Sequence, residues 1–113
     1  MGEPLFTDLV PADKQAELEG KHGELQALRH RSKPLAVLLR EPKRGEYKMW
    51  RAASHDPKKV ADAQEVLFRQ ICVFPETPAE VEQLMDQWIG VAEASSEAID
   101  RLTGLTGVIQ GKG

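Results

Sequence analysis

The chain has 113 residues and a formal net charge of −3, with ordinary proportions of apolar and charged side chains. This length predicts one domain with a modest core, and the composition argues against wholesale disorder. The single cysteine, Cys72, excludes an intrachain disulfide. Apolar runs are only a few residues long, and residues 1–14 are acidic and interrupted by prolines. We therefore expect neither a membrane span nor a secretory signal, and a cytoplasmic location by default.

Charge is distributed unevenly along the chain. Residues 1–20 carry one basic and five acidic side chains, residues 21–59 carry eleven and four, and residues 60–113 carry three and nine. Such asymmetry is typical of a surface for nucleic acid or an acidic partner, and equally of internal complementarity within one domain. We favour internal complementarity, because no basic cluster is longer than two residues.

The first part of the chain predicts a helix and a hairpin. Residues 1–10 are expected to form a loose arm, and Pro11–His22 a short helix. Glu24–His30 and Leu35–Arg40 are short runs separated by a polar turn, which predicts a β-hairpin whose second strand is half-buried. A hairpin needs a helix against it to be stable.

The stretch Asp56–Glu76 predicts the helix around which the rest of the chain packs. Asp56 suits an N-cap, Pro57 suits the first helical position, and Pro75 ends the helix near Phe74. Its apolar face combines residues at steps of three and four with others that widen it: Val60, Ala63, Leu67, Ile71 and Phe74, then Ala61, Phe68 and Cys72. So broad a face indicates a helix buried by more than one neighbour.

Three other helices are predicted around it. One is Lys43–Ser54, and the last is Val91–Thr103. Between them, Thr77 and Glu80 have capping-box spacing and open a helix with an apolar stripe of Val81, Leu84, Met85, Trp88 and Ile89. Residues 11–105 thus predict a single, mostly helical α+β domain: a short helix, a β-hairpin and a bundle of about four helices. Residues 106–113 are expected to be a flexible glycine-rich tail.

No catalytic or cofactor-binding pattern stands out. His22, His30 and His55 lie in separate segments and lack the spacing of metal ligands. Cys72 falls on an apolar helix face, where a buried inert thiol is expected. The glycines match no phosphate-binding loop. We therefore expect that the protein is not an enzyme and that it binds neither a metal ion nor a cofactor.

The order of segments resembles the small tail assembly chaperones of tailed bacteriophages. The likeness covers about residues 20–105 and rests on KHGELQALRH, LAVLLREPKRGEYKMWR, AQEVLFRQICVFPE and a terminal RLTGL. Within these runs, the shared features are Arg40, Pro42, Glu46 and Tyr47, then Ala63–Leu67 and Cys72–Pro75. The chain departs from the pattern at Lys43, where a threonine N-cap is favoured.

The resemblance implies a non-enzymatic function in the host cell cytoplasm. Such chaperones bind the long helical tape measure protein and keep it soluble until tail-tube subunits polymerise around it. A helical client with apolar stripes suits helix-in-groove binding. The acidic flanks Glu76, Glu80 and Asp86 are expected to keep the complex soluble and to steer basic segments of the client.

A small domain with so many apolar stripes has little mass to cover them. Some of five residues, Leu38, Tyr47, Trp50, Met85 and Trp88, are therefore predicted to form an exposed partner-binding patch, unless a homo-oligomer covers it. Two alternatives stay open. One is a small nucleic-acid-binding regulator using the basic block 29–59, and the other is a structural subunit of a phage particle.

Overall fold

The computed structural model describes residues 9–104, which form a mostly helical α+β fold, as predicted. The sheet has three antiparallel strands, one more than the predicted hairpin. The elements in chain order are α1 (Ala12–His22), β1 (Leu25–Arg29), β2 (Ala36–Arg40), α2 (Arg44–Ser54), α3 (Val60–Ile71), β3 (Cys72–Phe74), α4 (Pro78–Gln87), α5 (Val91–Ala94) and α6 (Ser96–Leu102). The predicted tail at 106–113 and most of the predicted arm lie outside the described residues. Val10, at the end of that arm, is fully buried, so this residue is docked and not loose.

The sheet has the order β1-β2-β3, with β2 in the centre. The predicted hairpin is confirmed, with Leu28 opposite Val37 in its register. The expectation that its second strand is half-buried is wrong, because Ala36 to Leu39 are all buried. The strand is covered on both faces, as its continuous apolar run allows.

The two faces of the sheet lie against separate apolar clusters. The α1 side contains Val10, Leu18, Leu25, Ala36 and Leu38. On the opposite side, Val37 and Leu39 belong to a larger cluster with residues of α3 to α6. These residues are Leu67, Phe68, Ile71, Val81, Leu84, Val91, Ala92, Ala98, Ile99 and Leu102. β2 therefore supplies side chains to both clusters, since successive residues of a strand point to opposite faces.

The central helix, α3, is shorter at both ends than predicted. Asp56 does not cap it: its Oδ1 accepts from the backbone N–H of Lys58 at 2.8 Å in a turn, and the helix begins at Val60. Aspartate readily makes such local turns. At the other end, Cys72–Phe74 is the strand β3, since Leu38 of β2 offers it an open edge opposite Phe74.

The C-terminal helices also differ from the prediction. The N-terminus of α4 is as expected, with Thr77 Oγ1 accepting from the Glu80 N–H at 3.2 Å. The helix ends at Gln87, however, which leaves Ile89 84% exposed and outside the predicted stripe. The single helix predicted for Val91–Thr103 is divided into α5 and α6 at Ser95, whose buried hydroxyl donates to the Ala92 carbonyl.

Candidate protein-binding groove

An open groove of about 430 Å³ lies between α2 and α3. We call it the α2–α3 groove, and its apolar lining consists of Met49, Trp50, Ala52, Ala53, Ala63, Val66 and Leu67. Asp56, Lys58, Lys59 and Asp62 lie toward the turn that joins the two helices, and Gln70 lines it farther along α3. The lining residues of α3 recur at steps of three and four, so they form one stripe along that helix.

The start of α2 is held in place by an ion pair to the sheet. Arg40, the last residue of β2, donates from both terminal nitrogens to the two carboxylate oxygens of Glu46, each at 2.9 Å. Glu46 also accepts from the Lys43 N–H at 2.8 Å, which satisfies a free donor at the helix start. The ammonium group of Lys43 can only donate hydrogen bonds, so its side chain cannot accept from a backbone N–H as a full capping box requires. Two of the residues behind the family resemblance thus fix α2 against the sheet.

The rim of the groove exposes large aliphatic side chains. Met49 is 69% exposed and Val66 is 50% exposed. Trp50 is half-buried, and its indole N–H donates to Gln64 Oε1 at 3.2 Å while its ring lies 5.5 Å from that of Tyr47. These contacts hold the indole in place along the groove. Met49 and Val66 are exposed and can still make apolar contacts with a partner.

Basic side chains lie at one end of the groove, together with Asp56 and Asp62, and on α2 beside it. Lys58 and Lys59 lie at the joining turn, and Lys48 and Arg51 line a separate shallow depression on α2 that shares Ala52 with the groove. Within residues 9–104, none of these four side chains, nor those of Lys43 and Arg44, forms an ion pair. The expected internal complementarity is thus not realised as ion pairs by these six cations.

The five predicted partner-binding residues do not come together as one described patch. Leu38 is fully buried on the α1 side of the sheet, so the folded protein cannot present it to a partner. Met85 and Trp88 are half-buried against the larger cluster, and Trp88 lies edge-on to His30 at 5.2 Å. Trp50 is the member of the set that lines the groove, with Tyr47 beside it.

Sequence reasoning missed Met49 and Val66. Both are apolar residues that fall off the main stripe of their helices, which was the available signal. It also placed Val60 on the core face of α3, and this is wrong, since Val60 is 49% exposed. Because α3 begins at Val60, this residue lies at the helix end and away from the buried middle.

The titratable side chains of residues 9–104 form no cluster of three or more that could hold a metal ion. His30 Nδ1 accepts from the backbone N–H groups of Ser32 and Lys33, both at 3.0 Å, and so closes the hairpin turn. Burial raises the pKa of the Cys72 thiol to about 12, and its Sγ donates to the Phe74 carbonyl. At neutral pH this thiol is protonated and is a poor nucleophile.

No helix among residues 9–104 is long and apolar enough to cross a membrane. A scan against protein-family models finds no match for this chain, and comparisons with curated proteins and with solved structures find no significant match either.

Proposed function

We propose that this protein is a non-enzymatic tail assembly chaperone, which binds the tape measure protein in the host cytoplasm and keeps it soluble during tail assembly. The observation that carries the proposal is the α2–α3 groove, whose rim exposes Met49 and Val66. The resemblance of residues 20–105 to phage tail assembly chaperones adds the nature of the client.

The dimensions of the groove suit a helical client. Along α3 the lining runs from Lys59 to Gln70, which at 1.5 Å per residue is about 16 Å, or three turns of a bound helix. Met49 and Val66 are already partly buried, so their full burial contributes only a part of the roughly 1.5–3 kcal/mol that a fully exposed side chain would gain. When an apolar stripe of the client binds between α2 and α3, it is shielded from water and from contact with other client molecules.

The test is co-expression with fragments of the tape measure protein from the same genome. We expect this protein to raise the soluble yield of a fragment and to co-elute with it. Val66→Glu should abolish co-elution, because it places a carboxylate on the apolar rim.

Val60→Glu is the matched control. Val60 lies on the same helix and is 49% exposed, against 50% for Val66, but it does not line the groove. Its replacement should leave the complex intact. Equal loss of binding in both variants, or a fragment that is equally soluble alone, would contradict the proposal.

A nucleic-acid-binding regulator is the second candidate, and the exposed cations without ion pairs on and after α2 favour it. It requires micromolar affinity for duplex DNA or RNA that falls steeply with salt and disappears when Arg44 and Arg51 are replaced. The chaperone requires no measurable binding at physiological salt. The apolar lining of the groove favours the chaperone, because phosphate groups gain nothing from it.

A further inference from the structure

We propose that the segment held in the α2–α3 groove is an amphipathic helix with acidic flanks. This inference rests on the proposed binding of a helical client, and it specifies the chemistry of that client. It differs from the expectation that acidic residues of this protein steer basic segments of the partner.

Charged side chains lie at one end of the groove and beside it on α2. Lys58 and Lys59 lie at the joining turn, and Lys48 and Arg51 lie beside Ala52 on α2. Asp56 and Asp62 also line the groove. The charged groups that line the groove sum to zero, and Lys48 and Arg51 beside it on α2 bring the formal charge to +2, whereas the whole chain carries −3.

The four basic side chains have no ion-pair partner within residues 9–104. By contrast, the exposed Arg69 on α3 is paired with Glu82 at 2.6 Å. Exposed cations beside an open apolar surface attract a partner that carries both an apolar stripe and carboxylates.

The distribution of charge over the chain also makes the groove selective for an acidic helix. An acidic helix is attracted to the groove and repelled by the acidic part of the chain that follows α3, where residues 72–113 hold seven acidic and two basic side chains. Charge then directs the client to this one surface, and the apolar lining holds it there. A nucleic acid would contact the cations but leave Met49 and Val66 in water.

The experiment uses the full chain carrying Trp88→Phe, so that Trp50 in the groove reports binding by fluorescence. The probes are two peptides of about 15 residues, near the length at which isolated helices become stable. Both carry the same leucine stripe, flanked by glutamates in one and by lysines in the other. We expect the glutamate peptide to bind at least about tenfold more tightly at low salt, and the difference to shrink as salt is added.

A charge reversal makes the assignment specific. Lys58→Glu combined with Lys59→Glu should remove or reverse the preference between the peptides. Lys21→Glu combined with Arg31→Glu changes the net charge equally at exposed positions away from the groove and should leave the preference unchanged.

Each other outcome overturns the inference. Equal binding of the two peptides removes the charge preference but leaves the chaperone proposal intact. If neither peptide binds while co-expression still solubilises the client, the inference alone fails; if co-expression fails too, both fail. A dimer that Val66→Glu dissociates would assign the groove to a second copy of the chain. Displacement of the peptide by duplex DNA would assign the cations to nucleic acid.

Discussion

Arg40 and Glu46 form an ion pair that joins three elements. Beyond its two bonds to Glu46, Arg40 donates to the Gln70 carbonyl near the end of α3 at 2.8 Å. The two side chains are only 14% and 19% exposed, so water screens them less than it screens an open surface pair. The hydrogen bonds from Arg40 lower the pKa of the Glu46 carboxyl below its usual value of 4.5, against the opposing effect of burial, and the Lys43 N–H adds to the lowering.

Glu46→Gln should therefore destabilise the protein by roughly 1–3 kcal/mol at pH 7. Because the folded-state pKa of Glu46 is lowered, its contribution is complete well above pH 4.5 and is lost as pH falls through the folded value. The gap between the two proteins should thus narrow in acid. Chemical denaturation at pH 7 and at lower pH measures this.

Glu97→Gln provides the control. Its partner Arg101 and the glutamate itself are 55% and 73% exposed, so this pair should contribute less than about 1 kcal/mol. A free-energy difference between wild type and Glu46→Gln that is independent of pH would mean that Glu46 acts through packing and not through its charge.

At the scale of elements, α3 contributes buried side chains to the larger apolar cluster and also lines the α2–α3 groove. It packs against α2, β2 and α5. Leu67 and Val66 are neighbours in sequence, yet Leu67 is fully buried and Val66 is 50% exposed. The predicted burial of Leu67, Phe68 and Ile71 is confirmed, since all three have no exposed surface.

Leu67→Ala should lower the free energy of unfolding by roughly 2–5 kcal/mol, because it removes buried contacts and leaves a cavity. Val66→Ala removes a half-exposed side chain and should cost less than about 1 kcal/mol. Urea denaturation of both variants measures the contrast. Similar losses at the two positions would mean that the groove is closed in solution.

At the scale of the molecule, β2 connects the two apolar clusters. Leu38 faces the α1 side, while Val37 and Leu39 face the larger cluster. Unpairing this strand would open both sides at once. We therefore expect the described part of the chain to unfold as one cooperative unit.

Leu18→Ala tests whether the two apolar clusters unfold together, because it changes the cluster on the α1 side of the sheet. Leu18 lies in the α1 cluster, whereas both tryptophans pack against the other one. The substitution should lower the tryptophan fluorescence midpoint and the circular dichroism midpoint together, at a cost of roughly 2–5 kcal/mol. Glu17→Ala, at an exposed position on α1, should leave both nearly unchanged. Two separate transitions would show that the α1 side unfolds independently.

Local sequence determined most of the elements of this protein. The Thr77–Glu80 cap, the hairpin runs and the Leu67–Ile71 spacing act over a few residues, so their outcome can be read without knowing the neighbours.

Tertiary structure decided what each surface faces. Cys72–Phe74 has a helical continuation in its sequence pattern, but the open edge of β2 makes it a strand. Leu38 is buried because α1 packs against its side of the sheet. Met49 and Val66 are exposed because no other element lies over the α2–α3 groove within the described residues, and so the candidate site was only partly predictable. Periodicity defines an apolar stripe, but which stripe is covered depends on contacts between residues far apart in the chain.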